Sequence, residues 1–183
     1  MNLWFRLLVV LVRAGLRDPM AVIGRGTIPF RVVPGDLDLN GHVNNGRYLT
    51  LMDLGRLDLT VRSGLWRVLF RRRWFPVVAT AMVRFKRELR LGARAELHTR
   101  VVAWDDRWFW MEHRIESEGK LTTVALLRAC FRHGRTTVPA HEVAAALGFD
   151  GPSPELPEAA LHFMAAERAL GEYVPPLASG VKA

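Results

Sequence analysis

Residues 34–48 read PGDLDLNGHVNNGRY. Two aspartates, three asparagines, a histidine and three glycines share one short segment. On its N-terminal side lies an apolar stretch, TIPFRVVP (27–34), and on its C-terminal side a long helical pattern. A bare turn needs one Asn-Gly or Asp-Gly pair. The surplus of hydrogen-bonding groups marks this segment as a candidate active-site loop that feeds the N-terminus of a buried helix.

The helix follows from spacing. Between residues 45 and 63, Tyr48, Leu51, Met52, Gly55 and Leu59 fall on one face, and Asp53, Arg56 and Thr60 on another. Leu54, Leu57 and Val61 widen the apolar surface, so the helix is expected to be covered on most sides. Asn44 or Asn45 is the natural N-cap, and Ser63-Gly64 the stop. A basic, irregular connection, LWRVLFRRRWF (65–75), follows. Strand patterns then occupy 76–89, 93–104, 107–117 and 121–133. In the second, Ala95, Leu97, Thr99, Val101 and Ala103 alternate onto one face. In the third, Phe109, Met111, His113 and Ile115 oppose Trp108, Trp110, Glu112 and Arg114. Glu118-Gly119-Lys120 is a tight hairpin signal. A short helix is expected at 139–148, then a Pro-rich linker, and one more helix at 158–170. One apolar helix against long antiparallel strands is an α+β solution, a sheet wrapped around a central helix.

Composition narrows the class. A chain of 183 residues, 50% hydrophobic, suits one domain with appended ends. The reading divides it into an N-terminal amphipathic segment (1–23), the main domain (24–150), and a Pro-containing linker and tail (151–183). The single cysteine, Cys130, rules out an internal disulfide and a multi-cysteine metal site. It points to the cytoplasm, and no metal or cofactor is expected. The formal net charge is +8, and all but three of the 26 basic residues are arginines. Arginine favours planar, bidentate partners such as phosphates, although an arginine-rich surface also arises without any ligand. No nucleic-acid motif accompanies the charge, so nucleic acid is not expected as a partner.

The N-terminal stretch MNLWFRLLVVLVRAGLR is too short and too interrupted to span a bilayer, and no clean cleavage site follows it. Arg6, Arg13 and Arg17 share one helical face, with apolar residues around the rest. Two placements fit: an amphipathic helix lying on a membrane, or one packed on the body of the domain or a partner subunit.

The stretch DLDLNGHVNNGRYL (36–49) resembles the motif that opens the central helix in hotdog-fold thioesterases of the 4-hydroxybenzoyl-CoA thioesterase type. Asp36, Asp38, Gly41, His42, Val43, Asn44, Asn45, Tyr48, Asp53 and Arg56 match in order. The acid at 53 is Asp where Glu is more usual, and position 55 is Gly where Ala is common. The wider chain, about 25–150, is similar to the THEM-type branch, including the tract Ala103-Trp104-Asp105-Asp106-Arg107. The resemblance implies a hotdog fold, an acyl-CoA substrate and a homo-oligomer, dimer or tetramer, with the site between protomers. It also implies that Asp38 is the catalytic carboxylate, acting as general base or as nucleophile. The loop is similar to that of plant acyl-carrier-protein thioesterases too, which makes Asn40 and His42 its assistants.

The chemistry fits these residue types. A thiolate leaves easily, so a carboxylate plus hydrogen-bond donors can suffice for thioester hydrolysis. The helix start at Asn45 and Gly46 offers free N–H groups and a positive dipole end to the oxyanion. Tyr48, Met52 and Gly55, with the 76–85 strand, are expected to line an apolar pocket, and Gly55 to leave room for an acyl chain. That favours a medium- or long-chain fatty acyl group over an aromatic one. Each group also has a purely structural role open to it. Asp36 and Asp38 can hold loop N–H groups, His42 can pack, Asn44 and Asn45 can cap, and Asp53–Arg56 and Asp58–Arg62 can be ion pairs. Two other functions compete. A hotdog hydratase resembles Asp-x-Asn-Pro-x-His, with one residue more than Asp38 to His42 provides. An acyl-binding hotdog at a membrane would need no catalysis.

Overall fold

The computed structural model describes residues 3–173. In chain order these form α1 (Leu3–Leu16), β1 (Gly26–Arg31), α2 (Asn45–Arg62), α3 (Leu65–Arg72) and β2 (Phe75–Phe85). Then come β3 (Arg94–Trp104), β4 (Phe109–Ser117), β5 (Lys120–His133), β6 (Thr136–Val138), α4 (Ala140–Ala146) and α5 (Glu158–Glu172). The strands make one antiparallel sheet ordered β1-β3-β4-β5-β2, with β6 paired to β5. This is the α+β hotdog arrangement.

The central helix forms where the pattern put it. Asn44 caps it by accepting the Gly46 N–H at 2.9 Å, and Gly64 at φ 74° ends it. Met52 and Leu59 enter the main core with Leu97, Ile115 and Leu127 from the sheet. Each fully buried aliphatic side chain contributes roughly 1.5–3 kcal/mol. The basic connection after α2 is an ordered helix, α3, buried through Leu65 and Val68. Between β4 and β5, Glu118 at φ 52° and Gly119 at φ 70° make a two-residue turn of the mirror-image type that suits hairpin twist.

Ala103 departs from the expected alternation. A β-bulge between Val101 and Ala103 shifts the register of β3 against β4. Val101 therefore faces α2, while Ala103 joins a second core on the opposite face of the sheet. That second core contains Trp110, Leu126, and Ala160 and Phe163 of α5. The expected boundary at residue 150 is thus corrected. The linker leads to a helix that packs on the sheet, with Phe163 edge-on to Trp110 and Glu167 paired to Arg128 at 2.6 Å. The rest of the expected tail, residues 174–183, lies outside the described residues.

The N-terminal segment packs on the body of the domain. Val10 of α1 meets Leu51 and Leu54 of α2. Arg6 pairs with Asp36 at 2.6 Å, and Arg17 reaches Asp58 at 3.5 Å.

The two edges of the sheet differ. β1 has six residues and includes Pro29, which has no N–H to offer a further strand. β2 has eleven, pairs on one side only, and leaves Phe75, Val77, Val78, Met82 and Phe85 exposed.

Candidate active site

The loop between β1 and α2 is tightly built. Pro34 opens a single 3-10 turn ending at Asp36. Leu37 then bridges to Val43, and His42 to Arg90 beyond β2. The Asp38 N–H donates to the His42 carbonyl at 2.8 Å, and Gly41, at φ 76°, donates to the Asp38 carbonyl. A side chain at position 41 would strain this turn.

The half-buried Asp38 carboxylate accepts the Asn40 N–H at 2.9 Å and the His42 N–H at 3.4 Å, both through Oδ1. Its Oδ2 makes no hydrogen bond among the described residues. Asn40 and His42 are thus brought to Asp38 by backbone donors, not by their side chains. The imidazole of His42 turns elsewhere, to Glu88 at 2.9 Å, and Glu88 in turn holds Arg90. Glu88 was not singled out from the sequence. It lies just past the end of β2, about 45 residues from the loop, and no local spacing announces the pairing.

Asp36 has the structural role. Buried to 1% exposure, it accepts the Val33 N–H at 3.0 Å and pairs with Arg6 and with Arg47 at 2.9 Å. Burial alone would push its carboxyl up, but the Val33 N–H, Arg47 and Arg6 outweigh it and hold it below the usual range.

At the start of α2, the Gly46 N–H is already taken by the Asn44 side chain. The expectation that Gly46 donates to a substrate is corrected accordingly. Asn45 is exposed, and its N–H has no partner among the described residues. The positive end of the helix dipole lies there, in the turn that follows His42.

The expected pocket wall is also corrected. Tyr48 and Met52 are packed in the main core. A side chain on Gly55 would meet Thr99 Oγ1 at 2.1 Å, so the missing Cβ lets α2 approach β3 and leaves no passage. The apolar cavity lies further along α2. It has a volume of about 420 Å³, is walled by Leu59, Leu69, Val77, Val78 and Phe131 among others, and carries Asp53 and Arg56 on one side. The charged pair was not expected in a pocket wall. Arg56 donates to Asp53, and its other amino group lies 3.4 Å from His113 Nε2. Because arginine only donates, Nε2 accepts and the ring proton sits on Nδ1, toward Thr99 Oγ1 at 2.9 Å. Burial lowers Arg56 to about 10. Burial first, then the Arg56 charge, pushes His113 down to about 3.

A neutral His113 makes stability pH-dependent. Between its unfolded value of 6.5 and about 3, the unfolded chain takes a proton that the folded one refuses. Stability is therefore lost as pH falls through that window, by up to ~1.4 kcal/mol per pH unit. Urea midpoints followed across it should show a shallower slope in His113→Gln than in the wild type.

None of the five principal cavities touches Asp38, Asn40 or His42. Within this chain, the carboxylate loop and the apolar cavity are separate features.

A family model described as Thioesterase-like superfamily matches residues 32–163. Protein THEM6 of Danio rerio is 33% identical over 132 residues, which cover 69% of this chain and 65% of the relative. The chain thus spans slightly less than two thirds of that relative's length. A thioesterase from Thermus thermophilus, solved with coenzyme A and Zn, is 26% identical with a TM-score of 0.58, over 66% of this chain and 89% of that one. The YbaW probable thioesterase of Escherichia coli has a TM-score of 0.62 at 18% identity, over 66% of this chain and 94% of that one, and speaks for the fold alone.

Proposed function

The chain belongs to the thioesterase-like superfamily, and from that premise we propose that it hydrolyses acyl-coenzyme A thioesters with Asp38 as the activating carboxylate. The observation that carries this reading is the state of that side chain. One oxygen is fixed by two backbone N–H groups, the other makes no hydrogen bond among the described residues, and the half-buried side chain belongs to the loop that leads into α2. An aspartate that only held its turn could be fully buried, as Asp36 is.

Two routes use this geometry. Asp38 takes a proton from water as the water oxygen bonds to the thioester carbon, and the proton passes to the leaving sulfur as the C–S bond breaks. Alternatively Oδ2 itself bonds to the carbon and expels the thiolate, and water cleaves the resulting anhydride. In both, the carbonyl oxygen gains negative charge, which the Asn45 N–H and the helix dipole can stabilise. His42, held by Glu88, borders the reacting centre. Label found in Asp38 after a single turnover in ¹⁸O-water marks the anhydride route, with water attacking the aspartyl carbon.

The site needs a second protomer. β2 is a long, apolar edge of the kind that pairs with another chain. Antiparallel pairing about its middle sets the Phe85 end of one copy beside the Pro76 end of the other. Tyr48 packs against Phe85 with ring centroids 5.1 Å apart, so the start of α2 in one protomer comes to the Pro76–Val78 wall of its partner's cavity. The loop of one copy then serves the pocket of the other. Val78→Arg should weaken dimerisation by roughly a hundredfold or more, because the new charge would be desolvated at the interface. Sedimentation across micromolar concentrations measures it. A wild-type monomer there would remove half of the proposed site.

The cavity favours a fatty acyl group of medium or long chain. Its wall is almost wholly apolar, and Arg56 is already engaged by Asp53 and His113. The polar side chains of the wall, Asp53, Arg56 and Thr60, gather on one side of it, and along the rest an aryl hydroxyl would be buried unpaired, which is costly. Steady-state hydrolysis across acyl-CoAs from acetyl to palmitoyl, with benzoyl and hydroxybenzoyl, tests both claims. Turnover should peak within the fatty series. Preference for an aromatic thioester overturns the chain claim, and binding without hydrolysis of any member overturns the enzyme.

A further inference from the structure

Helix α1 packs inward through Arg6, Val10 and Ala14 and turns most of its large apolar side chains outward. Arg6 is 4% exposed against Asp36, and Arg17 reaches Asp58. Val10 and Ala14 lie on the same inward side. On the other side Trp4, Phe5, Leu8, Leu11, Val12 and Leu16 form one stripe, with Trp4 73% and Leu16 83% exposed. Rolling the helix to hide that stripe would break the Arg6–Asp36 pair and strand its charges in the protein, a costly outcome. The ion pairs therefore fix the apolar stripe outward, and water alone is a poor neighbour for it.

We infer that this stripe is a bilayer-docking surface, lying in the interfacial layer of a membrane. The helix has 14 residues, about 21 Å at 1.5 Å per residue, against a hydrocarbon core of about 30 Å, so it lies along the surface and does not cross. Trp4 and Phe5, at one end of the stripe, are side chains suited to the headgroup boundary. Charge favours lipid as the occupant. The chain carries a net charge of +8, and no acidic residue precedes Asp18. An anionic bilayer surface attracts that charge, and Arg13, exposed on the same helix, carries part of it close to the stripe. The inference stands independently of the chemistry assigned to Asp38.

The test is flotation of the full chain with phosphatidylcholine vesicles containing about one third phosphatidylglycerol, and with phosphatidylcholine alone. The wild type should float with the mixed vesicles, and more weakly with the neutral ones. Leu8 and Val12 sit mid-stripe and are exposed, so Leu8→Glu with Val12→Glu should leave folding unchanged by circular dichroism. That variant should bind the mixed vesicles roughly a hundredfold more weakly, while Leu8→Phe keeps the wild-type affinity. A wild type that stays with the soluble fraction, or a double variant that floats as the wild type does, overturns the inference. So does a double variant whose main change is a smaller mass in sedimentation, which would assign the stripe to a second copy.

Discussion

Replacing Asp38 with Asn should lower turnover of the best acyl-CoA by ~10²-fold or more, in the range of general-base contributions. The change keeps the size of the side chain and leaves an oxygen to accept the Asn40 N–H, now held at 2.9 Å. What disappears is the negative charge on the carboxylate, whose Oδ2 makes no hydrogen bond among the described residues. Binding of the thioester should change much less, so the loss falls on kcat. Unaltered hydrolysis by a folded Asp38→Asn dimer would falsify the assignment. His42→Ala offers a graded comparison. It removes the link to Glu88 at 2.9 Å but leaves the backbone donor that holds Asp38. Its effect on turnover should therefore be smaller than that of Asp38→Asn.

Replacing Asp36 with Ala, two residues away, should act in the opposite sense. Asp36 is 1% exposed and holds together three parts of the chain: Arg6 on α1, the Val33 N–H ahead of the loop, and Arg47 on α2. Without it the buried Arg6 guanidinium loses its counter-charge, and its Nε and Nη1 already lack partners. Breaking one side of a buried pair costs about 3–5 kcal/mol, a large part of the roughly 5–15 kcal/mol that holds a domain folded. The urea midpoint should fall accordingly. Pairing the change with Arg6→Met should recover much of the loss, because no charge is then left buried. Acid should imitate the single variant. The folded carboxyl is held below its usual 3.8, so the stabilisation is present above that value and is lost as pH falls through the folded one.

The contrast between Asp36 and Asp38 shows where sequence reading succeeds. The loop, its two acids and the start of α2 were legible because they depend on local rules: an Asn cap, left-handed glycines and apolar residues at helical spacing. The face of Ala103 was not, because a bulge inserts a residue without altering the alternating pattern. Glu88 was hidden because its meeting with His42 depends on where the end of β2 passes the loop. Gly55 was visible as an absent side chain, but only the packed sheet reveals that Thr99 occupies the space. The arginines of α1 were placed on one face, yet which way that face points depends on Asp36 and Asp58, carboxylates that precede and follow the start of α2.

The unequal edges of the sheet bear on how many copies can join. A strand ladder continues through any border whose amides are available, and a molecule with two such borders can chain without limit. Here Pro29 and the shortness of β1 blunt one border, leaving β2 as the open one. A particle with a single adhesive side has a valency of one. A chain that paired through that border would saturate on meeting its twin, so growth along the ladder would stop at a pair and no filament would follow.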